Sequence, residues 1–299
     1  MTGLTVSRMD FGNFMRGVRE NAHQTLLAAA MSLEVSRQVI MRMEEGSPTK
    51  LTRPLIGLLL DHYGASQEVC EEALRLWSEV SEQDKVAKAQ GNSKGYWKPY
   101  ADQVAPTFPR FLRLEGAANR VVVHQPVIVP GLLQTSEYRR AIIRIDEPEI
   151  SAVNVERLLE LATHRQVRLN EANFRLEALL SEAVLRHCPA SPEMMAAQLR
   201  WIAEIGDREN VSIRVVPFAV GPHRGLTIQP FTLLEFPKGT SGIALPTVIF
   251  VEGAIGSLYH ERAEEIDRYR GAIAAIEEVA LTETDTRDMV LALAKEYVA

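Results

Sequence analysis

The chemistry most readily read from this chain is that of Arg37, Gln38 and Arg42, within the run Val35 to Gly46, V-S-R-Q-V-I-M-R-M-E-E-G. A guanidinium offers two parallel donors that match guanine O6 and N7, and a carboxamide matches adenine N6 and N7. Two arginines and a glutamine on one face of a helix are therefore a set for reading base edges in a major groove. The helix itself is predicted by Val39, Ile40 and Met43, which recur at helical spacing and make one packed face. Arg37, Gln38, Met41 and Arg42 then fall on the opposite face, with Met41 suited to apolar contact such as a thymine methyl. Ser36 is a hydroxyl cap for the first amides, and Gly46 can take the left-handed conformation that closes a helix. The alternative is a solvated amphipathic helix, and the segment alone does not separate the two.

Two other places could hold an anion. His223 and Arg224 sit in the loop Gly221-Pro222-His223-Arg224-Gly225 after a predicted strand, where imidazole and guanidinium can meet a phosphate or carboxylate. The plainer reading is a loop histidine with a structural hydrogen bond. Gln134 and Thr135 follow the Pro130-Gly131 turn at the start of a predicted helix, whose first amides can face a ligand; the plainer reading is a packing corner. A strand, a histidine-bearing loop, two strands and a long helix faintly resemble half of a phospholipase-D-like fold. The lysine that phosphodiesterase chemistry needs two residues after the histidine is Gly225. There is no phosphate-cradling loop with lysine, no dinucleotide fingerprint, no G-x-S-x-G and no H-E-x-x-H. The seven histidines are scattered without metal spacing. The expectation is no enzyme, no catalytic residue, no metal and no cofactor.

The 299 residues are long enough for two domains, and 46% hydrophobic with 24% charged residues is an ordinary globular composition. The sequence has no long apolar run, secretory pattern or lipidation motif, so a cytoplasmic protein with no membrane association is expected. Cys70 and Cys188 lie far apart and read as buried or free thiols. A net charge of −6 excludes nucleic-acid binding by bulk attraction, so such binding requires a local patch.

The first ten residues carry no pattern and read as frayed. Five short helices follow: Phe11 to Asn21, Leu26 to Met31 capped by Thr25, the Val35 to Gly46 stretch, Arg53 to Gly64 with proline in its first turn, and Glu68 to Val80. A tight turn between the second and third makes this a helix-turn-helix bundle over residues 1–80. Residues 81–110 read as a linker, with Gly91, Asn92, Ser93 and Gly95 as a flexible joint. The aromatic segment Tyr96-Trp97-Lys98-Pro99-Tyr100 is read as docking the linker rather than stacking on bases. From 111 to 299 the pattern is α+β with five or six strands. Strands are predicted at 120–129 (an edge strand or two short ones, because of its proline), 175–185, 211–217, 231–236 and 247–251. Helices are predicted at 111–119, 136–145, 152–173, 194–206, 262–281 and 285–297.

Residues 11 to 65 resemble the Cro/lambda-repressor-like helix-turn-helix of the xenobiotic-response-element class of bacterial regulators. That family often runs R-E-x-x-G-L-T-Q-x-x-L-A-x-x-L-G-V-S-x-x-x-I-S-R-I-E-x-G. Arg19, Glu20, Thr25, Ala30, Leu33, Val35, Ser36, Ile40, Arg42, Glu44 and Gly46 stand in register without a gap. The runs V-P-G-L-L-Q-T-S-E-Y-R-R-A from Val129, V-V-P-F-A-V-G-P-H-R-G from Val215, F-T-L-L-E-F-P from Phe231 and V-I-F-V-E-G from Val248 are similar to the C-terminal domain of WhiJ-type actinobacterial regulators. The resemblance implies a transcription regulator, often linked to development or secondary metabolism and often encoded beside a small partner protein.

On this reading Thr25 and Ser36 orient the motif on phosphates, Arg37 and Gln38 read bases, and Arg42 reaches a base or phosphate. Lys50 and Arg53 hold the backbone at the next helix, while Glu44 pairs with Arg16 or Arg19 inside the bundle. The partners expected are a palindromic DNA operator, a second copy of the chain, and a small-molecule effector or small protein. Three departures weigh against tight DNA binding. The family's helix-two glutamine is Leu26, its turn glycine is Glu34, and its glycine before helix two is His23. Residues 1–65 carry seven Lys/Arg against six Asp/Glu, a net of +1. Useful affinity is then expected only from a dimer on two half-sites, and an interaction protein whose head has partly lost DNA binding is the alternative.

Overall fold

The computed structural model describes residues 2–89, 96–253 and 256–299, which form two compact units. The joint expected at Gly91 to Gly95 lies outside the described residues. The first unit comprises Met1–Tyr96, Gly116–Ala118 and Phe236–Pro246. Its five helices are α1 (Thr2–Asn21), α2 (Leu26–Ser32), α3 (Arg37–Glu44), α4 (Arg53–His62) and α5 (Gln67–Ala89). Phe11, Met15, Ala29, Ala30, Ile40, Met43, Ile56, Leu59 and Leu76 are buried together at its centre. Alanines in α2 let it pack closely on its neighbours, and Pro54 in the first turn of α4 withholds an amide that would be unpaired there anyway.

Two helices run further than their apolar spacing predicts. Residues 2–10, expected to fray, are the start of α1, and α5 continues nine residues past Val80. The extension of α1 is held to α5 through polar groups. Ser7 Oγ donates to Glu79 Oε1 at 2.8 Å, and Arg8 Nη2 donates to Asp84 Oδ1 at 2.9 Å. Hydrophobic periodicity does not register such contacts. The segment 236–246 completes the unit around Asp10, which is only 1% exposed. The Asp10 carboxylate accepts from Ser241 N at 2.9 Å and from the Ser241 hydroxyl, and Thr240 Oγ1 donates to Glu79 Oε2 at 2.6 Å.

The second unit is built on a six-stranded mixed sheet. Its elements are α6 (Phe108–Ala117, shared with the first unit), β1 (Arg120–Gln125), α7 (Ser136–Asp146), α8 (Ala152–Gln166), β2 (Arg175–Ser181), α9 (Glu182–Arg186), α10 (Pro192–Ile205), β3 (Val211–Val216), β4 (Phe231–Glu235), β5 (Val248–Gly253), β6 (Gly256–His260), α11 (Ala263–Val279) and α12 (Glu283–Glu296). Strand order is β3-β2-β1-β4-β5-β6, with β1, β2 and β3 parallel and the β4, β5 and β6 pairings antiparallel. The helical crossovers α7–α8 and α9–α10 are what parallel neighbours require. The α+β class with six strands is as expected.

β1 is a central strand and not an edge. It ends at Gln125, one residue before Pro126, so the proline removes no ladder bond. The long helix expected at 152–173 stops at Gln166 and tightens into a 3-10 turn, Val167–Asn170. The strand expected at 175–185 stops at Ser181, whose hydroxyl caps α9 by accepting from Ala183 N. On one face of the sheet Val122, Leu179, Leu233, Ile249 and Val251 pack with Ile266, Ile273 and Ile276 of α11. Val121, Val123, Leu176 and Phe250 alternate to the opposite face. The aromatic segment after the described gap is docked. Tyr100 is buried and its hydroxyl lies 3.3 Å from Glu160 Oε2 of α8.

Candidate functional site

Helix α3 buries Ile40, Met43 and Glu44 and exposes Arg37, Gln38, Met41 and Arg42 on the opposite side. Arg37 and Gln38 make no hydrogen bond or ion pair among the described residues, so their polar ends are free. Arg42 Nη2 donates to the carbonyl of Pro48 at 3.0 Å, which holds it against the loop after α3. Lys50 is exposed ahead of α4, and Arg53 at the start of that helix donates to Ser78 Oγ at 3.0 Å. Thr25 caps α2, accepting from Ala28 N at 3.1 Å. Ser36 stands at the N-cap of α3 with extended backbone, yet its hydroxyl makes no cap bond; the first turn closes through its carbonyl, which accepts from Val39 N at 2.9 Å. The side-chain cap expected there is absent.

The seat of α3 is set from within. Arg19 Nε and Nη2 donate to the two Glu44 carboxylate oxygens at 2.6 and 2.9 Å, and Arg16 Nε is 3.8 Å from the same group. Glu44 thus pairs inside the bundle, as the resemblance implies. Gly46 closes the helix at φ +67°, with a Cβ there falling 2.7 Å from Met9 Cα. Gly12 admits α1 against the end of α3: an added Cβ would lie 2.3 Å from the Met43 carbonyl oxygen.

His23 and Glu34 are the two non-glycine residues with positive φ among the described ones, both at +54°. These are the positions at which the resembled family carries glycine. The backbone of the head therefore keeps both left-handed corners although the glycines are gone. Leu26, at the position of the family's glutamine, is partly buried against the core. Its neighbours Leu27 and Met31 are 58% and 70% exposed, one turn apart on α2.

In the sheet unit the expected ligand residues are not brought to one place. Thr135 caps α7, accepting from Tyr138 N at 3.3 Å, and its amide and hydroxyl donate to Gln198 Oε1 at 2.7 and 3.1 Å. His223 Nδ1 accepts from Gly225 N at 3.1 Å, and Arg224 is exposed beside it. Gln134 alone of the four lines a cavity of about 160 Å³ on the sheet face away from α11. This cavity is walled by Val121, Val123 and Phe250 of the sheet, by Phe108, Phe111 and Glu115 of α6, and by Arg139 of α7 and Arg165 of α8. Arg165 and Glu115 form a buried two-point pair, Nε–Oε1 2.8 Å and Nη2–Oε2 2.7 Å.

Arg139, Arg165 and Glu115 were not singled out by sequence reasoning. One signal was available: Arg139 lies four residues before the buried Ile143 and so shares the inward stripe of α7. Among the described residues there is no group of His, Cys, Asp or Glu that could hold a metal, and no helix long and apolar enough to cross a membrane. Both cysteines are free thiols.

No curated protein and no solved structure matches the chain. The family model of a domain of unknown function, DUF5753, matches residues 108–292, from the start of α6 into α12 and so most of the sheet unit. The match takes in well over half of the chain, which belongs to the DUF5753 family.

Proposed function

We propose that the chain is a DNA-binding transcription regulator, dimeric and cytoplasmic, in which α3 enters the major groove of a palindromic operator and the sheet unit senses a small molecule or a small protein partner. The observation that carries this reading is the solvent-facing row Arg37, Gln38, Met41 and Arg42 on a short helix whose other face is locked by the Arg19–Glu44 pair. The left-handed corners at His23 and Glu34, where the resembled class has glycine, support it independently. Arg37 and Gln38 read bases, Arg42 exchanges its Pro48 carbonyl for a base or phosphate, and Thr25, Ser36, Lys50 and Arg53 meet the backbone.

On a duplex that the protein selects, Arg37→Ala is expected to weaken binding by about 1–3 kcal/mol and to relax preference at one base pair. Lys50→Ala should weaken all sequences alike and make the salt dependence shallower by about one unit. Affinity and preference unchanged in both Arg37→Ala and Arg42→Ala would remove the assignment.

A second reading is a partner-binding protein that no longer depends on DNA. The exposed Leu27 and Met31, the inward Leu26 and the carboxylate of Glu34 favour it. It requires a stable complex with another protein and no salt-dependent DNA binding.

A further inference from the structure

We propose that the cavity between α6, α7, α8 and the sheet binds a small organic carboxylate with an apolar, ring-sized body. The proposal rests on the sensing role given to this unit and names the ligand class of that role. Its volume of about 160 Å³ is that of a space known to take up a benzene ring. The rings of Phe108, Phe111 and Phe250 and the side chains of Val121 and Val123 give it apolar walls, and Glu115, Gln134, Arg139, Arg165 and Glu252 make the rest of the lining polar.

Against those walls stands one cation with no partner in contact. Arg139 makes no ion pair or hydrogen bond among the described residues, and its Nε is buried without a partner. Burial, with the Arg165 guanidinium nearby, pulls its pKa down to about 10, so it remains charged at neutral pH. The carboxylate that could have neutralised it is taken, since Glu115 is held at two points by Arg165. Glu252, which also lines the cavity, and Asp146 attract Arg139 through space without contacting it. A guanidinium held largely out of water with no anion in contact is unfavourable, and an arriving carboxylate forms charge-assisted bonds that offset that cost.

Gln134 supplies the second polar point. Its Nε2 donates to the Val129 carbonyl at 2.7 Å, while its Oε1 is buried without a partner. That oxygen accepts, so a ligand bearing a hydroxyl or N–H donor gains over one that lacks it. One guanidinium free of contacts and aromatic walls suit a monocarboxylate better than a polyphosphate, which asks for several available cations.

The test is calorimetric titration of the full chain with phenylacetate, benzoate and hexanoate, each beside its neutral alcohol. We expect at least one acid to bind about tenfold or more tightly than its alcohol, the ratio one charge-assisted hydrogen bond provides. Arg139→Met should abolish that preference, and Arg139→Lys should retain part of it. Ile128 is exposed at the lining, so Ile128→Trp fills the space without disturbing the core and should remove both acid and alcohol binding. No binding of any of the three acids by the folded protein, or equal binding of acid and alcohol, overturns the proposal. So does an acid preference that survives in folded Arg139→Met. Acid binding by a protein that selects no DNA would keep this site and end the regulator reading; DNA selection without acid binding would do the reverse.

Discussion

The exposed face of α3 depends on a charge that scarcely reaches solvent. The Glu44 side chain is 3% exposed, and Arg19 meets both of its oxygens. Removing Arg19 leaves a buried carboxylate unpaired, so Arg19→Ala should cost about 3–5 kcal/mol in urea unfolding of the head. A loss below 1 kcal/mol would show that water replaces the guanidinium there. At the left-handed corners the sign reverses. His23 and Glu34 are exposed and hold φ +54°, a conformation that costs a residue with a Cβ about 1–2 kcal/mol. His23→Gly and Glu34→Gly should each stabilise the protein, and Glu34→Gly should also strengthen DNA binding by removing a negative charge near the phosphates. A stability decrease in both would mean that their side chains contribute more than the strain they impose.

His124 adds a pH dependence. His124 is buried in β1 with its ring nitrogens 3.2 Å from the Leu179 carbonyl and 3.3 Å from that of Gly225. Burial outweighs those carbonyls, and with His223 facing it the imidazole is held below its usual 6.5. The unfolded chain therefore takes up a proton that the folded one resists, and stability is lost as pH falls through 6.5 toward the depressed value. His124→Gln should flatten that part of the stability profile; an unchanged acid limb would assign the loss to other groups.

At the scale of elements, α3 is positioned by what is missing from α1. Gly12 faces the carbonyls of Met43 and Glu44 at distances a Cβ cannot share, 2.3 and 2.8 Å. Gly12→Ala must push α1 from the end of α3, and we expect a destabilisation of about 1–3 kcal/mol by thermal unfolding. The arginine row of α3 and its apolar face were legible because they repeat at 3.6 residues within a short window, whereas the pairing of Glu44 with Arg19, 25 residues away, was expected only on the family resemblance. The extensions of α1 and α5 were not, because their reasons are Ser7–Glu79 and Arg8–Asp84, pairs more than seventy residues apart. Strands are legible by β-branched content but their neighbours are not: Pro126 suggests an edge strand or two short ones over 120–129, whereas it lies just beyond the central β1. The cavity escaped notice for a related reason. Arg139, Glu115 and Phe250 come from three distant segments, and only folding makes Glu115 unavailable to Arg139.

Across the whole molecule two units divide the work proposed for it. The head offers a reading face with a net charge of only +1 over residues 1–65, in a chain of net −6. On the proposed regulator reading, such a head would bind one half-site weakly and need a second copy on a second half-site for useful affinity. The sheet unit carries the family match and a cavity with a cation that has no partner in contact. The segment 236–246 belongs to the first unit although it connects β4 and β5 of the second, a connection through the chain itself. The most direct measurement is selection of bound fragments from random duplex DNA by the full-length protein, at low and at near-physiological salt. We expect a palindrome whose half-sites lie about 10 base pairs apart, bound more weakly as salt rises. No enriched sequence at either salt would contradict the regulator reading and leave the exposed Leu27 and Met31 as the surface to explain.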